Sequence, residues 1–319
     1  MAHRQLRREE YTVGWICALP IELAAALQML DEEHEPLQYD DTIWTLGRIH
    51  HHNVVIVCLP QGQTGTVSAA VVAQKMTSAF KSIRIGLMVG VGGGVPSEEV
   101  DIRLGDVVIS KPVGIHGGVV QYDLGKTTPL GFRRTGVLSA PPTILLDATS
   151  NMQANHDRGA SRLPEYLARI GLLPRFSREA AGQDQLYRAT YRHEGRATCE
   201  GCCRDELVPR KPRAQDVKVH YGTIASGNCV LRDGVERDRI SAKLEGVLCF
   251  EMEAAGLMNN FPCLVIRGIC DYADSHKNKT WQGYAAGTAA ACAKELLSAL
   301  PPKELKGAQT AELILKSSC

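Results

Sequence analysis

The stretch PCLVIRGICDYADSHKNK, residues 262–279, decides the fold. A short apolar run breaks abruptly into Asp271, Asp274, His276, Lys277 and Lys279. An apolar run of this length bounded by polar residues reads as a buried strand, and strand C-terminal ends are where open α/β sheets place their ligands. Working outward, the same design recurs. TVGWICAL (12–19) precedes a helix-like IELAAALQMLDEE (21–33), and NVVIVCL (53–59) precedes TVSAAVVAQKMTSAF (66–80). IRIGLMVGVGG, DVVISKPV, VHYGTIAS and VLCFEMEAAGLMNN follow, and GYAAGTAAACAKELLSAL (283–300) reads as a last helix. Nearly continuous apolar strands separated by helices predict an α/β fold with a buried, parallel or mixed sheet covered on both faces.

Between about 114 and 215 the pattern degrades into Gly, Pro, Arg and polar residues, with one helix-like stretch at PPTILLDATSNMQ. This predicts one domain over 1–300 with an insertion at about 114–215. Residues 301–319 read as a short extra helix or the start of a linker.

The composition bounds the function. The 319 residues are 44% hydrophobic, carry a formal charge of +1, and contain no uninterrupted apolar stretch of membrane-spanning length. No basic stripe interleaved with aromatics points to nucleic acid, and the charged N-terminus lacks the apolar centre of a secretory signal. Eleven cysteines, many inside apolar runs, suit a reducing, cytoplasmic location.

Several residues are more polar than packing requires. Glu22 is a lone acid in ALPIEL, readable as a buried group or as the exposed face of a helix. Glu251 and Glu253 flank Met252 in FEMEAAG, where carboxylates are expensive unless something polar meets them, although a solvated helix start fits equally. Asp271 ends the strand, or else caps a short helix with Asp274 in its first turn. The cluster Gly90, Gly92, Gly93 reads as a tight strand-end turn, lacking the pattern of a Walker or dinucleotide loop. In YRHEGRATCEGCCRDE, His193 and the C-x2-C pair Cys199 and Cys202, with Cys203 adjacent, read either as a structural zinc knuckle or as free cysteines of an insertion.

The order ICALPIEL, GVGGGV, ASGNCV, FEMEAAG, GICDYAD resembles the purine nucleoside and uridine phosphorylase superfamily, which includes the methylthioadenosine/adenosylhomocysteine nucleosidases. HYGTIASGN, GVVQYDLGK and the long run from VLCFEMEAAG to DSHKNK are similar to the phosphorylase-like N-terminal domain of fungal NACHT and ankyrin receptors of the immune type. The resemblance covers most of residues 11–300. It implies a three-layer α/β/α fold with a mixed central sheet, and cleavage of an N-glycosidic bond.

By the same resemblance, Asp271 protonates the leaving base, Glu253 holds the ribose hydroxyls with Met252 against the sugar, and Ser226, Gly227, Asn228 and Val230 through Leu231 line the base. Val230 replaces a stacking aromatic of the nucleosidases. Met88 and Val91 stand where phosphorylases carry an arginine and a serine, while Glu22 matches the residue that activates water in the hydrolytic branch. That favours hydrolysis over a phosphate-dependent phosphorylase. Lys277 and Lys279, beside Trp281, bend the expectation toward phosphorylated substrates, as in the branch that cleaves ATP to adenine and ribose 5′-phosphates. Lys126, Arg133 and Arg134 are a second candidate group, reaching the 5′ end in some relatives from a neighbouring subunit. A catalytically silent nucleotide-sensing module is the alternative. The resemblance further implies a homo-oligomer, a dimer or trimer of dimers. It requires no cofactor or catalytic metal, with magnesium entering only as a nucleotide-bound ion.

Overall fold

The computed structural model describes residues 4–37, 42–195 and 198–317. Its strands are β1 (Val13–Cys17), β2 (Glu32–Glu33), β3 (Thr45–Ile49), β4 (His52–Cys58), β5 (Ile85–Gly94), β6 (Val107–Ser110) and β7 (Val119–Gln121), then β8 (Gly125–Thr128), β9 (Gly131–Arg134), β10 (Val219–Gly222), β11 (Ile224–Ser226), β12 (Cys249–Glu251) and β13 (Cys263–Asp271). The helices are α1 (Pro20–Gln28), α2 (Thr66–Ala79), α3 (Thr143–Asp157), α4 (Leu163–Gly171), α5 (Arg178–Ala181), α6 (Gly234–Lys243), α7 (Gln282–Ala299), α8 (Pro302–Gly307) and α9 (Ala311–Ser317).

Eleven of these strands form one mixed sheet. Its main path runs β10-β6-β13-β5-β1-β4-β3-β2, and β12, which pairs with β5, leads through β11 to β7. The centre β4-β1-β5-β13 is parallel, and β6 joins β13 antiparallel. Side chains alternate between two cores, as a period of two requires. Val13, Trp15, Leu264 and Ile266 pack on the face covered by α1, α3, α4 and α7, whereas Ile16, Val55, Cys263 and Val265 pack on the α2 face. The expected α/β sandwich with a mixed sheet is therefore present.

α7 approaches β13 so closely that a side chain at Gly268 has no room. Half of the helix's residues are Ala or Gly, and a Cβ on Gly268 of β13 would stand 1.9 Å from the Ala285 carbonyl oxygen. Glycine at 268 is what lets the last helix seat directly behind the strand that ends in Asp271.

Two expectations need adjustment. The helix over 21–33 stops at Gln28, and Glu32–Glu33 pair with β3 instead, where Arg48 Nε meets Glu32 Oε2 at 2.9 Å. Residues 114–215 are less irregular than their composition suggests: β7 joins the sheet, and α3 and α4 deliver Leu145, Met152, Tyr166 and Ile170 into the core beside α7. Their apolar positions are spaced between long polar stretches, which dilutes the periodic signal. The tail forms α8 and α9 and folds back, with the Ala311 amide donating to the Ile83 carbonyl at 2.7 Å.

Candidate active site

β5 and β13 build the floor of the site. Gly90, Gly92 and Gly93 belong to β5 itself, not to a turn, and none has a positive φ. Space explains them. A Cβ on Gly90 would lie 2.5 Å from both Glu22 Oε1 and Arg267 Nη1, and one on Gly93 would lie 2.8 Å from Asp271 Oδ1. The glycines keep the strand bare where charged groups cross it.

The register of β13 against β5 slips at its end: Ile269 sits opposite Gly92 and Asp271 opposite Gly93, leaving Cys270 as the extra residue of a bulge. Bulges re-aim side chains, and this one turns Asp271 onto the sheet's end. Asp271 is buried; its Oδ1 accepts from the Ala273 amide at 2.9 Å and its Oδ2 from the Cys270 thiol at 3.1 Å. Lys277 Nζ forms an ion pair with the same Oδ2. Burial works against the Lys277 ammonium, but the Asp271 carboxylate outweighs it and raises the Lys277 pKa.

Glu22 projects from the first turn of α1. Its Oε2 accepts from the amides of Ala18 (2.7 Å) and Leu19 (2.9 Å), and its Oε1 from Val91 (2.8 Å). Three of about four lone-pair positions are thereby filled, leaving one. Burial raises its pKa, against the pull of Arg267 and the three amides.

Arg267 ties the carboxylates together. It lies mid-strand, 0% exposed, with Nη2 paired to Glu251 Oε2 and 3.5 Å from Glu253 Oε2. Burial opposes its charge, but Glu251, Glu253 and Glu22 more than compensate and hold its proton tightly. Glu251 further accepts from the amides of Glu253 and Ala254, which makes it a structural anchor. Glu253 accepts from the Gly65 amide at 3.1 Å. Three carboxylates around one guanidinium are one-sided, and burial, then Glu251 and Glu22, push Glu253 up to about 7 despite Arg267.

A cavity of about 260 Å³ opens over this cluster, lined by Glu22, Gly92, Gly93, Met252, Glu253, Asp271, Val230, Leu231 and Lys277. The structure thus brings together the acids, the glycines, Met252, Val230 and one of the lysines. The other expected residues lie elsewhere or have other partners. Ser226 Oγ accepts from the Ala255 amide at 2.9 Å, and Gly227 packs so close to Tyr122 that a Cβ would lie 2.6 Å from its ring. Asn228 Oδ1 accepts from Thr66 N and Oγ1, both at 3.0 Å, and so caps α2. Trp281 is buried under the Arg178 guanidinium, 4.5 Å from its ring centroid, away from the cavity. Lys279 is exposed, while Lys126 and Arg133 face each other across the exposed β8-β9 hairpin; none of the three lines the cavity. Asp274 accepts from the His276 amide at 2.9 Å and shapes the loop.

Sequence reasoning missed Arg267, treating its strand as simply apolar. The signal was there, since one charge inside a buried run demands partners of opposite sign. Arg232 was missed as well; it donates to the Lys277 carbonyl at 3.2 Å.

A two-sided α/β sandwich whose mixed sheet ends in a buried glutamate-arginine cluster facing a strand-end aspartate defines the class. The chain belongs to the phosphorylase superfamily, whose family model matches residues 12–300. It is 47% identical over 313 residues to a nucleotide-binding leucine-rich repeat (NLR)-like protein of Hyaloscypha variabilis, covering 94% of this chain and 30% of that protein. It is 25% identical to an ATP nucleosidase, Cap17, of Escherichia coli (86% of this chain, 48% of that one). A 5′-methylthioadenosine/S-adenosylhomocysteine nucleosidase of Mycobacterium bovis is 26% identical (91% and 97%). The chain thus spans less than half the length of the first two relatives. Among solved structures, futalosine hydrolase of Helicobacter pylori superposes with a TM-score of 0.59 at 16% identity, covering 92% of this chain and 99% of that one. The nucleosidase of S. pneumoniae gives 0.58 at 19%, covering 91% and 100%. Among the described residues, no helix is long and apolar enough to cross a membrane.

Proposed function

We propose that this chain is a hydrolytic N-glycosidase that releases adenine from adenine nucleotides, leaving ribose 5′-phosphates. The observation that carries this reading is Glu22, fixed by three backbone amides with a lone pair to spare on the cavity, its basicity raised by burial. A base so held can orient one water and take its proton. Inorganic phosphate, by contrast, finds no partner on β5: Met88 is buried, the Val91 amide serves Glu22, and Arg267 is committed to carboxylates. An unpaired dianion there is costly.

In the reaction the C1′–N9 bond breaks with proton delivery from Asp271 to N7, and the water oxygen bonds C1′ as Glu22 takes its proton. Glu253 accepts from the 2′- and 3′-hydroxyls, with Met252 against the sugar. The net change is addition of one water.

Lys277 is the group that links this chemistry to phosphate. Its ammonium is paired with Asp271 Oδ2 and so occupies the group assigned to deliver the proton. Arg232 lies near enough to disfavour the Lys277 charge, and an anion between the two cations relieves that repulsion. On this reading the 5′-phosphates draw Lys277 off Asp271 and free its carboxyl to face the base. Lys126 and Arg133 contribute to the 5′ end only if supplied by a second subunit.

The test is product analysis by chromatography from ATP, ADP, AMP, adenosine and methylthioadenosine, with and without inorganic phosphate. Phosphate-independent release of adenine, fastest from nucleotides, is expected. Formation of ribose 1-phosphate that requires added phosphate would refute hydrolysis.

A further inference from the structure

We propose that His193, Cys199 and Cys202 hold a tetrahedral thiolate-bound metal, zinc by the chemistry of the donors, with His276 as the fourth ligand. One donor atom from each of the first three lies within 4.8 Å of the others. In a tetrahedral site with Zn–S bonds of about 2.3 Å, donor atoms stand roughly 3.5–3.8 Å apart, so about 1 Å of contraction brings these three together, while His276, outside that set, moves further to join them. The pair Cys199 and Cys202 brackets a single 3-10 turn, Cys199–Gly201, which presents both sulfurs on one side.

Two further observations point to a ligand. The His193 Nε2 lies 3.1 Å from the Thr198 carbonyl oxygen. As a donor there, it leaves Nδ1 with the free lone pair, the arrangement by which backbone carbonyls orient metal-bound imidazoles. Beside it, His276 is 8% exposed, yet its Nε2 has no hydrogen-bond partner. Its ring stacks on Tyr187 (centroids 4.2 Å apart, 14° between planes) and stands edge-on to His193 at 5.5 Å. A buried imidazole nitrogen without a partner is costly, and a metal would satisfy it.

The location gives the site a role. The His193 amide donates to Ser275 Oγ at 2.9 Å, and a cavity of about 480 Å³ is lined jointly by Cys199, Cys202, Cys270, Asp271, Asp274 and His276. The cluster therefore sits behind the loop that carries Lys277 to Asp271. A metal bound there fastens His193, Cys199 and Cys202 to that loop and fixes the position of the lysine. Binding forms two metal–sulfur and two metal–nitrogen bonds and releases the thiol protons to solvent.

The experiment is elemental analysis of the full chain purified reduced in zinc-containing buffer, followed by cobalt titration of the metal-free chain. About one zinc per chain is expected, with cobalt giving the intense d–d and sulfur charge-transfer absorption of a tetrahedral thiolate site. Cys199→Ser with Cys202→Ser, checked for folding by circular dichroism, abolishes the charge-transfer band. His276→Ala weakens cobalt binding about 10-fold or more. A reduced wild-type chain that binds neither metal overturns the site, and His276→Ala with unchanged affinity overturns the fourth ligand. The role of the clamp rests on the proposed base release, and chelation should slow that release. Unchanged turnover after chelation overturns the clamp without touching the metal assignment or the reaction.

Discussion

Replacing Glu253 by Gln tests the electrostatics of the site through stability alone. Glu253 is 5% exposed, and burial together with Glu251 and Glu22 raises its pKa from 4.5 to about 7. Below about pH 4.5 the carboxyl is protonated in both the folded and unfolded chain and has no effect. Between 4.5 and 7 the unfolded chain has lost the proton while the folded one keeps it, so the folded state binds more protons and stability falls as pH rises. Above about 7 the loss is complete. At 1.36 kcal/mol per pKa unit, the fall between pH 5 and pH 8 is roughly 2–3 kcal/mol. Glutamine does not titrate, and other groups shared by the two proteins cancel in the difference. Urea unfolding of both proteins at pH 5, 6, 7 and 8 measures it. The variant gains relative to the parent by that amount across the range. Parallel pH profiles, within about 1 kcal/mol, would refute the reasoning by showing that Arg267 fully offsets the burial.

Other perturbations separate structure from chemistry. Arg267→Met leaves Glu251 buried without its charge partner and should cost about 3–5 kcal/mol in urea unfolding. Gly268→Ala sets a Cβ 1.9 Å from the Ala285 carbonyl oxygen, so either α7 lifts off β13 or the protein fails to fold, a loss above about 3 kcal/mol by thermal melting. Lys277→Met lowers ATP cleavage by about 10- to 10²-fold, the scale of one charge-assisted hydrogen bond to phosphate, yet leaves adenosine cleavage largely unchanged; kcat/KM for the two substrates distinguishes this from general damage.

Much of this was legible in the sequence because the sheet's strands are buried on both faces and read as continuous apolar runs. Asp271, Glu22 and Glu253 stood out as charges with no packing reason. What the sequence hid was partnership. Lys277 read as one of a pair of phosphate-directed cations, yet it folds back on Asp271 six residues before it, while Lys279 stays in solvent. Arg267 needed Glu251 and Glu253 from a neighbouring segment to give it meaning. The glycines looked like a turn because periodicity cannot tell a flexible loop from a strand that must stay bare beneath a carboxylate. Asn228 lies in the right segment, but its amide oxygen is spent on the N-terminus of α2.

The central claim is base release by Asp271 and Glu22 without phosphate. The most direct measurement follows adenine from ATP in phosphate-free buffer for the parent, Asp271→Asn and Glu22→Gln. The account predicts adenine and a ribose 5′-phosphate from the parent, with each variant folded but slower by about 10² to 10⁴. No adenine from the parent with any adenine nucleoside or nucleotide, or an Asp271→Asn protein as fast as the parent, would contradict it.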